Sequence, residues 1–180
     1  PDRRRRHNLT RQLAGLAGWA AAAGVNQRGV RFAEKDLNAS FGTGGNSYEE
    51  KRATELLKIL NKKKLVVDFH TFSCESEPFA IIVNLVMLPL ASSLGIKRVV
   101  YMKHNIKGGH ALINHRSGVS VEVGQHTNPS SFEKTLAIVK KLHINGIKPE
   151  KVRAYEVYGR IEEQGEYKNF VEHDGFIPVL

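Results

Sequence analysis

Apolar residues in this chain fall in short runs parted by polar, glycine-containing stretches, and the period of each run predicts an element. Residues 65–69 (LVVDF) are apolar and partly β-branched, and they open onto HTFSCESEP, as a buried strand does where it gives way to a loop. Asp68 interrupts that run and His70 falls where the strand is expected to end. Residues 79–83 (FAIIV), 98–102 (RVVYM), 119–124 (VSVEVG) and 152–161 read as further strands, with Val30-Arg31-Phe32 a shorter one. Ser47 and Glu50 form a capping-box pattern, and Ala53, Leu56, Leu57 and Leu60 supply the apolar stripe of the helix it opens. A second helix is predicted over residues 85–94, broken or kinked near Pro89 and stopped by Gly95. A long amphipathic helix starts at Pro129 and the serines after it. It carries Phe132, Leu136, Val139 and Leu142 and ends around Asn145-Gly146. Strands separated by helices over most of the chain predict an α/β sandwich with a largely parallel or mixed sheet.

Composition narrows the class. With 180 residues, 41% hydrophobic and 25% charged, the chain suits one globular domain that buries a proper core. A single cysteine, Cys74, rules out an internal disulfide and suits a reducing, cytoplasmic setting. No apolar run reaches the length of a membrane span. The net charge of +9 raises nucleic-acid binding as an alternative. The excess sits in three separate runs, Arg3 to Arg6, Lys62 to Lys64 and Lys140-Lys141, without the interleaved aromatics of a base-stacking platform, which ranks that reading last.

Residues 1–25 form a segment of their own. Four arginines precede a mildly apolar, alanine-rich stretch up to Gly24, a pattern shared by export signals and by an alanine-rich helix closed by glycine; the helix is preferred. Residues 26–150 are expected to make the α/β domain and residues 151–180 a β-rich C-terminal segment. The glycine-rich loop at 42–46 has neither the lysine nor the strand context of a phosphate cradle.

Two expected strand ends carry groups that an apolar core does not tolerate unpaired: Asp68 with His70, and Glu122 among the valines of VSVEVG. In open α/β sheets ligands collect at the carboxyl ends of strands. A histidine there can meet a metal or substrate while an acidic neighbour orients it, or the pair can simply satisfy local backbone groups. Histidine and carboxylate on two strand ends are the parts used when a bound cation activates water.

Five stretches taken together, EKDLNASF (34–41), SYEEKRATELL (47–57), VDFHTFSCESEPFAII (67–82), VSVEVG (119–124) and AYEVYG (154–159), resemble successive blocks of the aspartoacylase/succinylglutamate desuccinylase family, in that family's order, over residues 26 to 180. The resemblance implies a carboxypeptidase-like three-layer α/β sandwich with a shortened β-rich C-terminal part, and a zinc-dependent amidohydrolase acting on N-acyl amino acids. It implies His70 as a zinc ligand, Glu122 as the general base for zinc-bound water, and Asp36 and Asn38 on the substrate side of the cleft. Zinc would bring the pKa of its water to about 7. Arg98, Lys103, Lys107 and Arg116 are candidate contacts for a carboxylated substrate. The family's other two ligands come from a His-x-x-Glu motif upstream of DLN; no histidine of this chain is followed three places on by glutamate, and Ala39 stands where the family continues DLN with arginine. His70 with Cys74, or His104, His110 and His115, are the other histidine and cysteine groupings, and their spacings match no closed zinc pattern. The expectation is therefore an incomplete zinc site with weak or no hydrolysis, through truncation or natural loss, with a non-catalytic protein for acidic small molecules on the same fold as the alternative.

Overall fold

The computed structural model describes residues 32–72, 76–103 and 108–157; the N-terminal segment 1–25, Cys74, His104, Lys107 and the stretch 158–180 lie outside the described residues. Its centre is a five-stranded sheet made of β1 (Val66–Phe72), β2 (Phe79–Ile82), β3 (Arg98–Tyr101), β4 (Gly118–Gln125) and β5 (Arg153–Glu156), in the order β1-β4-β2-β3-β5. β2 runs antiparallel to β4, and the other three pairings are parallel. The helices are α1 (Tyr48–Leu60), α2 (Leu88–Ser92), α3 (Leu112–His115) and α4 (Ser130–Asn145), with 3₁₀ turns at Leu37–Ala39 and Leu85–Met87. This is the α/β, mixed and mostly parallel architecture that the alternation of elements predicts.

Alternation along the strands divides the core between two faces. One face buries Ala80, Ile82, Val99, Val119, Val121 and Val123 beneath Leu90 and Ala91 of α2 and Ile138 of α4. On the other, Phe72, Phe79, Ile81 and Val100 pack with Ile113 of α3. A neighbouring cluster joins Ala53, Leu56 and Leu60 of α1 to Phe41 and Leu112, with Val66 of β1 at its border. Gly118, opposite Val66, permits close strand pairing, since a Cβ there would lie 2.3 Å from the Val66 carbonyl oxygen.

Local chemistry sets most boundaries. The capping box of α1 forms as the sequence predicts: Glu50 N–H donates to Ser47 Oγ and Ser47 N–H to the Glu50 carboxylate. Pro89 stands in the first turn of α2, where its missing N–H costs nothing, so the expected kink is a change from 3₁₀ to α-helix at Leu88. Gly146 caps α4 with φ +64°.

Two expectations need correction. β1 is an edge strand of the described sheet with half-buried residues rather than a fully buried one, and it continues two residues past His70, so His70 lies within the strand. In α4, Phe132 is 74% exposed and Leu136 41%, while Ser131, Ile138 and Leu142 face the sheet. Two apolar stripes share that helix, and the sheet selects the one that meets its valines.

Candidate active site

His70 and Glu122 are direct register partners on the parallel strands β1 and β4, and Asp68 stands opposite Ser120 two residues earlier. Because side chains alternate, these four residues share one face of the sheet, the one that also carries Phe79, the register partner of Glu122 on β2. Immediately beyond, the register slips: Phe72 pairs with Gln125, so Val123 and Gly124 of β4 stand against Thr71 alone, with Gly124 at φ +146°. Bulges of this kind bend a strand and re-aim side chains next to functional sites.

The imidazole of His70 is fixed by its neighbour. Its Nε2 lies 2.7 Å from Asp68 Oδ2, and Ser120 Oγ–H donates to the same oxygen at 3.4 Å. Ser120 is 4% exposed and was not picked out from the sequence, although the alternation in VSVEVG puts it on the Glu122 face. Burial by itself disfavours the imidazolium. The charge and hydrogen bond of Asp68, with further attraction from Glu122 and Asp36, override burial and push the His70 pKa up to about 9. One ring nitrogen is thus committed to Asp68, and Nδ1 is the nitrogen left to meet a ligand, the division seen where a carboxylate orients a metal-binding histidine.

Asp36 reaches this neighbourhood on the turn Leu37–Ala39, which it caps by accepting from Asn38 N–H at 2.9 Å. Asn38 is directed elsewhere: its Oδ1 accepts from Leu112 N–H at the start of α3. Glu49 anchors the approach to this turn. It is 3% exposed, and its carboxylate accepts the N–H groups of Ala33, Glu34 and Lys35. Sequence reading passed over it because a glutamate in a first helical turn is ordinary. Three of the predicted site residues, Asp36, His70 and Glu122, therefore come into electrostatic reach of one another, and Asn38 braces α3.

The other candidates are engaged apart from His70. His110 Nδ1 meets the Phe41 carbonyl and His115 Nε2 the Gly109 carbonyl. Arg98 pairs with Glu77, Lys103 with Glu156, and Arg116 donates to the carbonyls of Leu57 and His115.

The sequence has no significant match among family models or curated proteins. Solved structures do match. Succinylglutamate desuccinylase from Chromobacterium violaceum superposes with a TM-score of 0.58 at 19% identity, over 78% of this chain and 57% of that one. The Vibrio cholerae succinylglutamate desuccinylase gives 0.57 at 17% identity over 81% and 52%, and murine aminoacylase 3 gives 0.53 at 19% over 67% and 49%. The chain has the succinylglutamate desuccinylase/aspartoacylase fold. It spans about half the length of these structures.

Desuccinylase-like folds invite a test of the zinc expectation against the side chains here. Among the described residues, no three His, Cys, Asp or Glu side chains are grouped so as to hold a metal ion. The carboxylate of Asp68 is bonded to the imidazole itself. A catalytic zinc ordinarily has three protein ligands, so the described residues alone do not fit one. Nor is any helix of the described residues long and apolar enough to cross a membrane.

Proposed function

We propose that this chain belongs to the aspartoacylase/succinylglutamate desuccinylase family and that the Asp68–His70–Glu122 face is its amidohydrolase site, here with an incomplete set of zinc ligands. The observation that supports this best is the register pair His70–Glu122 on a shared sheet face, inside a fold whose solved examples include desuccinylases and an aminoacylase. In this reading His70 occupies a zinc-ligand position through Nδ1, held in place by Asp68 and Ser120. Glu122 occupies the position of a general base beside it, and Asp36 and Asn38 lie on the side from which an N-acyl amino acid would enter. The chemistry zinc supplies when bound is polarisation of the amide carbonyl and a lowered water pKa. What these residues do by themselves is orient one imidazole, hold a proton on it near neutral pH and keep a carboxylate next to it.

With one histidine for a site that ordinarily takes three protein ligands, the chain should retain little zinc and hydrolyse N-acyl acidic amino acids weakly or not at all. Metal content after dialysis, with turnover of N-succinylglutamate in added zinc, tests this. Robust turnover abolished by Glu122→Gln would overturn the incomplete-site reading while keeping the family. Robust turnover indifferent to both Glu122→Gln and His70→Ala would overturn the site assignment. Saturable binding of N-succinylglutamate without turnover would favour the non-catalytic alternative.

A further inference from the structure

Three carboxylates surround His70, so the cations expected to receive an acidic ligand are elsewhere. One of them, Arg116, lines an open depression of about 420 Å³ together with Lys58, Leu57, Asn61, Thr54 and the backbone of Gly42 and Gly44. The volume is in the range that holds a small organic molecule. Among the described residues, no acidic side chain lines it.

Its place in the fold separates it from the candidate active site. Arg116 precedes β4, whose first residue, Gly118, pairs with Val66, whereas His70 and Glu122 pair four residues further along the same two strands. At about 3.3 Å per residue, the two places are roughly 13 Å or more apart along the strands.

Among the described residues, no acid is paired with Arg116. It donates to two main-chain carbonyls: Nη2 to Leu57 O at 2.6 Å and Nη1 to His115 O at 2.7 Å. These bonds fix the planar guanidinium at the wall, so little side-chain entropy remains to be lost when an anion arrives. The last turn of α1, which forms this wall, presents the negative end of a helix, and its carbonyls are partly satisfied. The carbonyl of Leu57 is taken by Arg116, that of Lys58 by Asn61 N–H and that of Leu60 by Lys63 N–H. Their repulsion of an anion is reduced accordingly.

The loop opposite is shaped by two glycines with positive φ, Gly42 at +75° and Gly44 at +69°. A Cβ at Gly42 would fall 2.3 Å from Cε1 of His115, so the loop lies against that ring, and Gly44 borders open space with nothing within 4 Å of a Cβ placed there. A glycine loop resting on the His115 ring, an anchored arginine, an exposed lysine and the side chains of Leu57, Thr54 and Asn61 together make a pocket that carries two cations beside one aliphatic side chain.

We propose that this cavity is a second binding site, distinct from the His70 face, for a small carboxylate with a short apolar body. The carboxylate meets Lys58 and Arg116, and the body lies along Leu57 and the glycine loop. The probe is sodium hexanoate, with 1-hexanol as its neutral counterpart, titrated into the isotopically labelled full chain and followed by amide chemical shifts. Hexanoate should give saturable shifts at residues 42–44, 54–61 and 116, hexanol should bind much more weakly, and added salt should weaken hexanoate. Lys58→Glu, at an exposed position in the last turn of α1, should weaken it roughly fivefold or more. Arg116→Lys, which keeps the charge and loses the fork, should weaken it less than Lys58→Glu. Absence of saturable shifts, equal binding of hexanoate and hexanol, shifts centred on His70 and Glu122, or a Lys58→Glu chain that binds as well as the parent would each overturn the proposal.

Discussion

Asp68 makes His70 a held cation. Removing its charge by Asp68→Asn should drop the His70 pKa from about 9 towards the ordinary 6.5, because burial then acts with less opposition, and an NMR titration of the imidazole reads this directly. The stability sign follows from the direction of the shift. A pKa raised in the folded chain contributes stability that is fully present below about 6.5 and is lost as pH rises through about 9. The urea midpoint of the parent should therefore decline across that window, and the decline should be smaller in Asp68→Asn; an equal decline in both would refute the pairing. The sequence offered Asp68, His70 and Glu122 as polar interruptions of apolar runs. Ser120 went unmarked because serine between valines is common in strands and its bond to Asp68 spans 52 residues.

The stretch from Ala33 to Ser47 is held to α1 by two adjacent carboxylates. Glu49 is buried, which alone would raise its pKa, yet N–H bonds from the 33–35 backbone lower it. Glu50 is lowered to about 2, chiefly by its bond with Lys35 and by Ser47 Oγ–H and N–H. Both are depressed below the ordinary 4.5, so their contribution is present above that value and lost as pH falls below it, for Glu50 towards about 2. Replacing Glu49 by Gln should cost about 2 kcal/mol, the worth of hydrogen bonds to a charged acceptor, and should flatten the acid limb of stability against pH. Amide exchange at Asn38 and Leu112 should quicken as well, since the turn carrying Asp36 and Asn38 rests on this anchor. Unchanged exchange with lowered stability would mean that Glu49 serves α1 alone. The capping box around Glu50 was legible because cap chemistry is confined to four consecutive residues. The role of Glu49 was not, since its partners lie 14 to 16 positions away.

Across the whole molecule, apolarity matters only where the sheet receives it. Ile82 is fully buried under α2, whereas Phe132 is 74% exposed on the outside of α4. Truncating Ile82 to Ala should cost about 2–5 kcal/mol in denaturant unfolding, and Phe132→Ser should stay within about 0.5 kcal/mol of the parent. A large loss at Phe132 would mean that its side of the helix is covered in solution.

Element by element, the sequence by itself determined much of this protein. β-branched runs, a capping box, a first-turn proline and a terminal glycine act through neighbours a few residues away, and five strands and the long helices stand near their predicted places. The ordered blocks likewise led to the fold. Strand order, the antiparallel placing of β2 between β4 and β3, the half-buried edge position of β1 and the choice between two stripes on α4 were decided only in three dimensions. So was the meeting of His70 with Glu122. These depend on which surfaces face one another across dozens of intervening residues, and burial, the force that selects among such pairings, is blind to sequence distance.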